Sequence, residues 1–376
     1  MIKRSVKVAR PLFPNRGRLL KRFEDILTTG RLMNGQYAGR FEAMFAEKTQ
    51  VRHAISVNSC TTALEVVLRY LNVGGGEVIV PTNTFVATAN AVVFAGGVPV
   101  FADIKDQSYC LDPEEVLRLL NRKTRAVVAV HIAGLVAPEV ASIAEICREK
   151  RIPLVEDCAH AVGASFAGKS AGTFGVAGCF SFYPTKVITT GTGGMITTND
   201  DGLFRYARSV RVHGAGDGLT DIVNVGNDWL LDEFRCAVGV SQMESLDVFL
   251  KKRRAVAAVY DALLVSEERL LKYPVHRGCL HAYYKYPVQV QAKVDVRELK
   301  RIFPEKYGME LESVYWPVCH LQPVYRRKCG YRKGGYPTAE AVLSRQIALP
   351  IHAAMTKEDA VYVVECLQAE LDHAVR

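Results

Sequence analysis

The sequence predicts an α/β fold, with a mainly parallel sheet between layers of helices and a second, smaller C-terminal α/β domain. Short apolar runs alternate with longer helical patterns from about residue 50 to residue 200. These runs are continuously apolar, as expected of strands that are buried on both faces. The chain has 376 residues, which is more than a single core usually supports. We therefore expect two domains, residues 1–250 and residues 251–376.

The elements of the larger domain can be placed in order along the chain. The predicted strands are HAISVNS, EVIVPT, VPVFADI, RAVVAVHIAG, IPLVEDCAH, CFSFY and GMITTN. The predicted helices between them are TTALEVVLRYL, FVATANAVVFAG and PEVASIAEICREK, the last with proline near its start, where that residue is favoured. Residues 231–264 then predict one long helix that leads to the second domain. In that domain, residues 282–290 (AYYKYPVQV) alternate as a strand does.

Composition and charge exclude several classes of function. The net charge is +9, but the densest basic clusters, at residues 251–254 and 325–333, are short and separate. A nucleic-acid interface needs a longer basic stripe, so we expect no nucleic-acid partner. The longest weakly apolar run, residues 85–101, is interrupted by glycine and proline and is too short to span a membrane. We expect no membrane interaction.

The ten cysteines predict neither a metal site nor disulfide bonds. No two of them have the C-x-x-C spacing of zinc ribbons or thioredoxin-like motifs. The basic N-terminus is followed by no apolar signal region, so we expect a soluble cytoplasmic protein with reduced thiols. The sequence therefore predicts no metal.

Three polar segments follow predicted strands and mark the expected site. Ligands of open α/β sheets bind beyond the carboxyl ends of the strands. The segments at those ends are residues 58–61, 157–160 and 181–186. We expect them to converge on one crevice.

An acid and an amine lie at two of these strand ends. Asp157 ends a buried strand, where a carboxylate is costly without a cationic partner. Lys186 follows a later strand in small, uncharged sequence. Pyridoxal phosphate chemistry needs such a pair, because an amine binds the cofactor aldehyde and an acid keeps the pyridine nitrogen protonated. For Asp157 alone, a helix cap or a strand-end salt bridge explains the pattern equally well.

A third segment offers an anion site. Ser59, Cys60 and Thr61 lie at the turn into a helix, where free N–H groups and the helix dipole favour a phosphate. Simple helix capping by Ser59 or Thr61 is the alternative.

With these residues in place, the chain resembles the DegT/DnrJ/EryC1/StrS family of sugar aminotransferases, which are fold-type I pyridoxal phosphate enzymes. The resemblance runs nearly end to end, in family order. It is carried by GRLMNGQYAGRFEAMFA, VNSCTTALEVVL, PTNTFVATANAV, VEDCAHAVGA, FSFYPTKVITTGTGGMITTND, DEFRCAVGVSQMESLD, CHLQPVY and GYPTAEAVLSRQIALPIH.

The resemblance implies a role for each matching residue. Lys186 would bind the cofactor aldehyde, and Asp157 would pair with the pyridine nitrogen. Phe85 occupies the position of the aromatic residue that stacks on the cofactor ring, although a core phenylalanine is the alternative. His160 falls near the ring and its phenolic oxygen. Ser181 matches the phosphate-binding serine and would act with Ser59, Cys60 and Thr61, where Cys60 replaces the usual glycine.

One segment departs from the family pattern. The family has an asparagine that reaches the phosphate in the neighbouring subunit of a dimer, and Asp228 stands at this position. A carboxylate would be repelled by a phosphate dianion. We therefore expect Asn227 to supply the contact through a shift of one residue, or water or Trp229 to reorganise the site. The resemblance also implies a homodimer with a shared active site.

The implied reaction moves an amino group from an amino-acid donor, which we expect to be glutamate, to a keto-sugar attached to a nucleotide. Candidates for contact with this substrate are Arg211, His213, His320 and the basic residues 326–328, although His320 fits a structural role as well. A deoxygenating branch of the family replaces the lysine by histidine, and Lys186 argues against it. A keto-cyclitol or keto-sugar acid as acceptor, and a non-catalytic cofactor-binding regulator, remain the alternatives.

Overall fold

Three sheets and thirteen α-helices build the protein in the part of the chain that this computed structural model describes, residues 4–216, 220–291 and 294–375. The strands are β1 (His53–Val57), β2 (Glu77–Pro81), β3 (Val98–Ala102), β4 (Thr124–Val130), β5 (Leu154–Asp157), β6 (Ser165–Phe166), β7 (Lys169–Ser170), β8 (Ala177–Ser181), β9 (Gly194–Thr198), β10 (Leu270–Lys272), β11 (Cys279–Leu280), β12 (Tyr286–Val290) and β13 (Gln346–Leu349). The helices are α1 (Arg16–Thr29), α2 (Gln36–Thr49), α3 (Cys60–Tyr70), α4 (Val86–Phe94), α5 (Pro113–Leu119), α6 (Glu139–Lys150), α7 (Asp201–Val210), α8 (Glu233–Met243), α9 (Leu246–Leu263), α10 (Val296–Tyr307), α11 (Pro323–Cys329), α12 (Pro337–Ser344) and α13 (Lys357–Val375).

The large sheet has seven strands in the order β1-β9-β8-β5-β4-β2-β3. The pairs β2 with β3, β2 with β4, β4 with β5 and β5 with β8 are parallel. Only β9 runs in the opposite direction, since it pairs antiparallel with both β1 and β8. The predicted mainly parallel sheet is confirmed, and the carboxyl ends of six strands lie along one edge.

Both faces of the large sheet are buried, which explains its continuously apolar strands. In β2, Val78 and Val80 belong to one hydrophobic cluster, whereas Ile79 belongs to the cluster on the other face. In β4, Val128 and Val127 divide in the same way. Alternate side chains of a strand point to opposite faces, so helices must cover both sides.

The C-terminal part has its own sheet and core. β12 pairs antiparallel with β10 and β13, and its cluster includes residues of α9, α10 and α13. Val6 also belongs to this cluster and forms a bridge with Met309. Val6 therefore packs on the C-terminal part, although the prediction assigned the N-terminal segment to the larger domain. The predicted boundary at residues 250 and 251 falls inside α9 and stays a prediction.

Two predicted elements differ from the structure. The long helix over residues 231–264 is interrupted between α8 and α9, where the Ser245 hydroxyl bonds to the Ser241 carbonyl at 3.4 Å. Serine hydroxyls compete with the helix ladder in this way. The strand predicted over residues 282–290 begins only at Tyr286, because the N–H groups of Ala282 and Lys285 donate to the carbonyls of residues 134 and 133.

Two further features of the chain concern membrane-spanning helices and disulfide bonds. Among the described helices, none combines the length and apolar character that a membrane crossing requires. All ten cysteines are unpaired.

Candidate active site

A cavity of about 510 Å³ opens at the carboxyl edge of the large sheet. Its walls come from the ends of β1, β2, β4, β5 and β8 and from the start of β9, as the strand order requires. Eight residues predicted for the site line this cavity, namely Lys186, Asp157, His160, Ser181, Ser59, Cys60, Thr61 and Phe85. Tyr183 and Thr185, from the predicted segment 181–186, also line it, as do Tyr284 and Tyr315, which the sequence did not single out.

Asp157 is buried at the end of β5, beside the cavity. Its carboxylate accepts hydrogen bonds from the Thr88 hydroxyl at 2.7 Å and from the Ala159 N–H at 3.1 Å. Burial raises the pKa of Asp157, while these hydrogen bonds and the nearby charge of Lys186 act in the opposite direction. A carboxylate in this position gains from a positively charged partner in the cavity.

Lys186 is half-buried, and its side chain lines the cavity. Its amine lies 4.4 Å from the ring centre of Tyr284, whose hydroxyl is 3.1 Å from that of Thr185. Burial lowers the pKa of Lys186 to about 8, although Cys60 and Asp157 oppose the shift. A lysine with such a pKa has an appreciable neutral fraction near physiological pH and can act as a nucleophile or base.

His160 and Tyr315 form a hydrogen-bonded pair in the cavity wall. Nε2 of His160 lies 2.7 Å from the Tyr315 hydroxyl, and Nδ1 accepts the Ala133 N–H at 3.2 Å. Burial, with smaller effects of Lys186 and Lys285, lowers the pKa of His160 well below its usual value. This shift favours the neutral form of the His160 imidazole.

The turn before α3 has the geometry of an anion site. Ser59 is the N-cap of α3, and its hydroxyl accepts the Thr62 N–H at 3.1 Å. The start of β9 packs directly against this turn, because a Cβ atom at Gly194 would lie 2.4 Å from the Ser59 carbonyl carbon. Ser181 lines the same cavity. The helix N-terminus thus opens towards Lys186 and Asp157.

Phe85 presents its ring to the cavity. It precedes α4, is 55% exposed and lies 5.7 Å from the ring of Tyr315. A core phenylalanine would be buried. The exposure of Phe85 therefore favours the predicted role, in which the ring stacks on a ligand, over the core alternative.

The donor set of this cavity fits pyridoxal phosphate. The amine of Lys186 would hold the aldehyde, Asp157 the pyridine nitrogen, and the turn at residues 59–61 with Ser181 the phosphate. When bound, the cofactor supplies an electron sink that stabilises negative charge on the substrate carbon.

The predicted substrate residues lie outside the cavity lining. Arg211 is buried and donates to the Glu42 carboxylate at 2.5 Å and to the Ser56 carbonyl at 2.8 Å. Because its NH1 atom is engaged inside the fold, this placement gives no support to the predicted substrate contact. His213 is exposed, and its N–H donates to the Asn227 carbonyl at 3.0 Å.

His320 has a structural position. Its Nδ1 lies 2.6 Å from the Thr82 hydroxyl, and its Nε2 lies 3.1 Å from the Glu340 carboxylate. Both ring nitrogens are thus engaged by the protein, and the ring is fully buried. This favours the structural alternative over a contact with substrate.

Asn227 and Asp228 are exposed and do not line the cavity of their own chain. The Asn227 side-chain oxygen accepts the Asp228 N–H at 2.8 Å, which leaves the amide NH₂ group as a donor. Trp229 is buried, and the guanidinium of Arg69 stacks on it at 5.4 Å. The placement of Trp229 therefore does not support its reorganising the site.

Several known proteins are similar to this chain in sequence and in fold. A sequence profile described as the DegT/DnrJ/EryC1/StrS aminotransferase family matches residues 15–368. The GDP-perosamine synthase of Vibrio cholerae is 33% identical over 93% of this chain and 95% of its own length. The dTDP-3-amino-3,4,6-trideoxy-alpha-D-glucose transaminase of Micromonospora megalomicea subsp. nigra is 31% identical over 94% of each chain. The structure of the aminotransferase TlmJ from Streptoalloteichus hindustanus superposes with a TM-score of 0.91 at 30% identity, covering 98% of this chain and all (100%) of that one.

Proposed function

Since the chain belongs to the DegT/DnrJ/EryC1/StrS family of pyridoxal-phosphate-dependent aminotransferases, we propose that it transfers the amino group of glutamate to a nucleotide-linked keto-sugar in amino-sugar biosynthesis. The observation that carries this proposal is the single cavity that unites Lys186 and Asp157 with the anion-binding turn at residues 59–61. Relatives named for GDP- and dTDP-linked amino sugars support the nucleotide-linked acceptor.

In the proposed reaction, Lys186 first holds the cofactor and then moves a proton. Its pKa of about 8 leaves part of the amine neutral at physiological pH. With the cofactor bound, the neutral amine of Lys186 would act as the base that takes a proton from the substrate carbon and would carry that proton as the ammonium form. Asp157 would pair with the pyridine nitrogen of the cofactor, and Thr88 and the Ala159 N–H hold its carboxylate in place for that contact.

A basic helix near the cavity supports an anionic acceptor. α11 carries Arg326, Arg327 and Lys328, which are all exposed. This helix packs beside α4, because the Tyr325 hydroxyl donates to the Asn90 side chain at 2.5 Å. α4 begins directly after Phe85, which lines the cavity. A diphosphate leaving the cavity on this side would meet positive charge.

A homodimer is part of the proposal. Ile222, Val223 and Val225 are 62%, 62% and 86% exposed, and they directly precede Asn227 and Asp228. Exposed aliphatic residues in one short segment are typical of a contact surface. In a dimer, the Asn227 amide would reach the phosphate bound by the neighbouring chain.

The function can be tested by following the cofactor in two separate half-reactions. The purified protein with pyridoxal phosphate should absorb at about 420 nm, and glutamate should remove this band. A panel of nucleotide-linked keto-sugars, free keto-sugar acids and keto-cyclitols should then be screened for restoration of the band. Restoration by a nucleotide-linked sugar supports the proposal, whereas restoration only by a free keto-sugar acid or keto-cyclitol contradicts it.

The basic helix provides a sharper control. The double variant Arg326→Ala, Arg327→Ala should raise the KM for the nucleotide-linked acceptor and leave the glutamate half-reaction unchanged. Lys252→Ala removes an exposed positive charge from α9 and should alter neither reaction. Equal effects of the two changes would show that α11 does not contact the nucleotide.

The shared site can be tested by mixing two defective chains. Lys186→Ala and Asn227→Ala should each be inactive or weak as homodimers. If Asn227 serves the neighbouring cofactor, a mixed dimer assembles one intact site and recovers activity. A monomeric mass in light scattering, or full activity of Asn227→Ala, would contradict this arrangement.

A further inference from the structure

The hydrogen-bond pattern around His160 determines which of its nitrogens carries the proton. Nδ1 lies 3.2 Å from the Ala133 N–H, which can only donate. Nδ1 must therefore be an acceptor without a proton. A neutral imidazole carries its one proton on the other nitrogen, so the proton of His160 is on Nε2.

The proton on Nε2 in turn determines the role of the Tyr315 hydroxyl. Nε2 and the Tyr315 oxygen are 2.7 Å apart, so His160 donates and Tyr315 accepts. The tyrosine proton cannot point at His160 and needs another acceptor. Within the described residues, His160 is the sole recorded hydrogen-bond partner of this hydroxyl.

Tyr315 is also held in an unfavourable backbone conformation beside the cavity. Its φ angle is 59°, in the left-handed region that bulky residues seldom occupy. The preceding residue is tied down, because the Val314 N–H donates to the Gln346 side chain at 2.7 Å. Such strain is retained where the surrounding structure requires a specific side-chain position, often at a functional site.

From these three observations we propose that Tyr315 donates a hydrogen bond to a ligand oxygen in the cavity and that His160 is the positioning residue that orients this donor. His160 would thus act on the ligand through Tyr315, and not by a direct hydrogen bond from Nε2. The acceptor is an anionic or carbonyl oxygen, either the phenolic oxygen of the cofactor or an oxygen of the bound donor or acceptor substrate. The identity of the ligand rests on the proposed function, whereas the proton position on His160 does not.

The proton position can be measured without any ligand. In the unloaded protein labelled with ¹⁵N-histidine, the His160 signals should show a protonated Nε2 and an unprotonated Nδ1. His160→Gln identifies these signals by their loss. A protonated Nδ1 would overturn the proposal whatever the activity of the enzyme.

The ligand contact is tested with Tyr315→Phe, which removes only the hydroxyl. If the cofactor is the acceptor, the dissociation constant of pyridoxal phosphate should rise roughly tenfold. If a substrate is the acceptor, cofactor affinity stays unchanged, and kcat/KM of the half-reaction with that substrate falls by a similar factor. Tyr362 is outside the cavity lining and its hydroxyl donates to the Tyr307 carbonyl, so Tyr362→Phe should change neither quantity. Wild-type values for Tyr315→Phe in all three measurements would refute the contact.

The positioning role of His160 is tested by a pair of substitutions. Glutamine can accept the Ala133 N–H with its carbonyl and donate to Tyr315 with its NH₂ group, so His160→Gln should retain most of the function. His160→Ala should lose about as much as Tyr315→Phe, and the double variant should lose little more. Additive losses would overturn the coupling, provided that thermal unfolding shows each variant to be folded. A wild-type protein that binds no pyridoxal phosphate would refute the proposed function and leave the ¹⁵N measurement interpretable.

Discussion

Glu156 and Asp157 are neighbours on β5 and both are buried, but their carboxylates lie in different surroundings. The Glu156 oxygens accept three main-chain N–H groups from the loop at residues 172–175, at 2.6 to 2.8 Å, and lie 2.7 Å from His131 Nε2. The Asp157 oxygens accept one hydroxyl and one N–H, with one of them 4.0 Å from the Cys60 thiol, and the side chain borders the cavity. The carboxylate of Glu156 uses its hydrogen-bonding capacity within the fold, whereas the carboxylate of Asp157 can accept a further hydrogen bond from a ligand.

The same contrast explains a group of residues that could be mistaken for a metal site. Within the described chain, His131, Glu156 and Cys158 place possible ligand atoms within 4.8 Å of one another. The Glu156 oxygens are already used by main-chain donors, and burial raises the pKa of the Cys158 thiol well above its usual value. The group therefore serves the packing of the loop, and burial of a carboxylate alone does not indicate a functional site.

The largest loss of activity should come from Lys186→Ala, because Lys186 lines the same cavity as Asp157. Loss of the amine should lower the rate of the glutamate half-reaction by at least about 10³-fold. At pH 8 or below, loss of the amine should not lower the free energy of unfolding of the unloaded protein, because burial of its charge is costly in the folded state. Rapid-mixing absorbance and urea unfolding measure the two quantities. Retention of more than a tenth of the rate would exclude Lys186 as the base.

Glu156→Gln should show the opposite behaviour. The new NH₂ group would face a main-chain N–H that has lost its acceptor, and an unsatisfied buried donor is costly. We expect the free energy of unfolding to fall by about 3 kcal/mol, measured in urea. Cofactor affinity of the remaining folded protein should stay near the wild-type value. A stable Glu156→Gln variant would show that the loop does not depend on this carboxylate.

Asp157→Asn is the matched substitution on the cavity side. The Asn amide can donate to the Thr88 hydroxyl, which can turn its own proton towards Thr84, 2.6 Å away. Stability should therefore change by less than about 1 kcal/mol. The half-reaction should slow by about 100-fold, because the pyridine nitrogen loses its charged partner. Comparable stability losses for Asp157→Asn and Glu156→Gln would remove the distinction between the two carboxylates.

The last effect is a pH dependence of the free energy of unfolding that comes from Lys186. Its pKa is about 8 in the folded protein, against about 10.4 in an unfolded chain. Between these two values the unfolded state binds more protons than the folded state. The free energy of unfolding should therefore rise by up to about 1.4 kcal/mol for each pH unit above 8, and this gain is lost when the pH is lowered to 8. The difference between wild type and Lys186→Ala in urea isolates this contribution. A difference that stays constant between pH 8 and pH 10 would mean that the pKa is not lowered.

Much of the site could be predicted because its residues follow strands that are easy to recognise. Asp157, Ser181 and the turn at residues 59–61 each come directly after a continuously apolar run, and such ends meet at one edge of a parallel sheet. Tyr284 fell inside a predicted strand and Tyr315 in no predicted element, so neither was singled out for the site. They lie in irregular segments of the C-terminal part, where no sequence period shows that they reach the large sheet. The positive φ angle of Tyr315 could not be predicted either, because glycine is the residue that usually indicates such an angle and this position holds tyrosine.

The sequence by itself determined the order of strands and helices, the parallel character of the sheet and the edge at which polar residues meet, because these follow from local periodicity and chain direction. Only the tertiary structure decided the rest. It placed the Arg211 guanidinium against Glu42 and both nitrogens of His320 against Thr82 and Glu340. The physical reason is that a polar residue buried by packing must find its partners among segments far along the chain, and no local pattern records which partners those are.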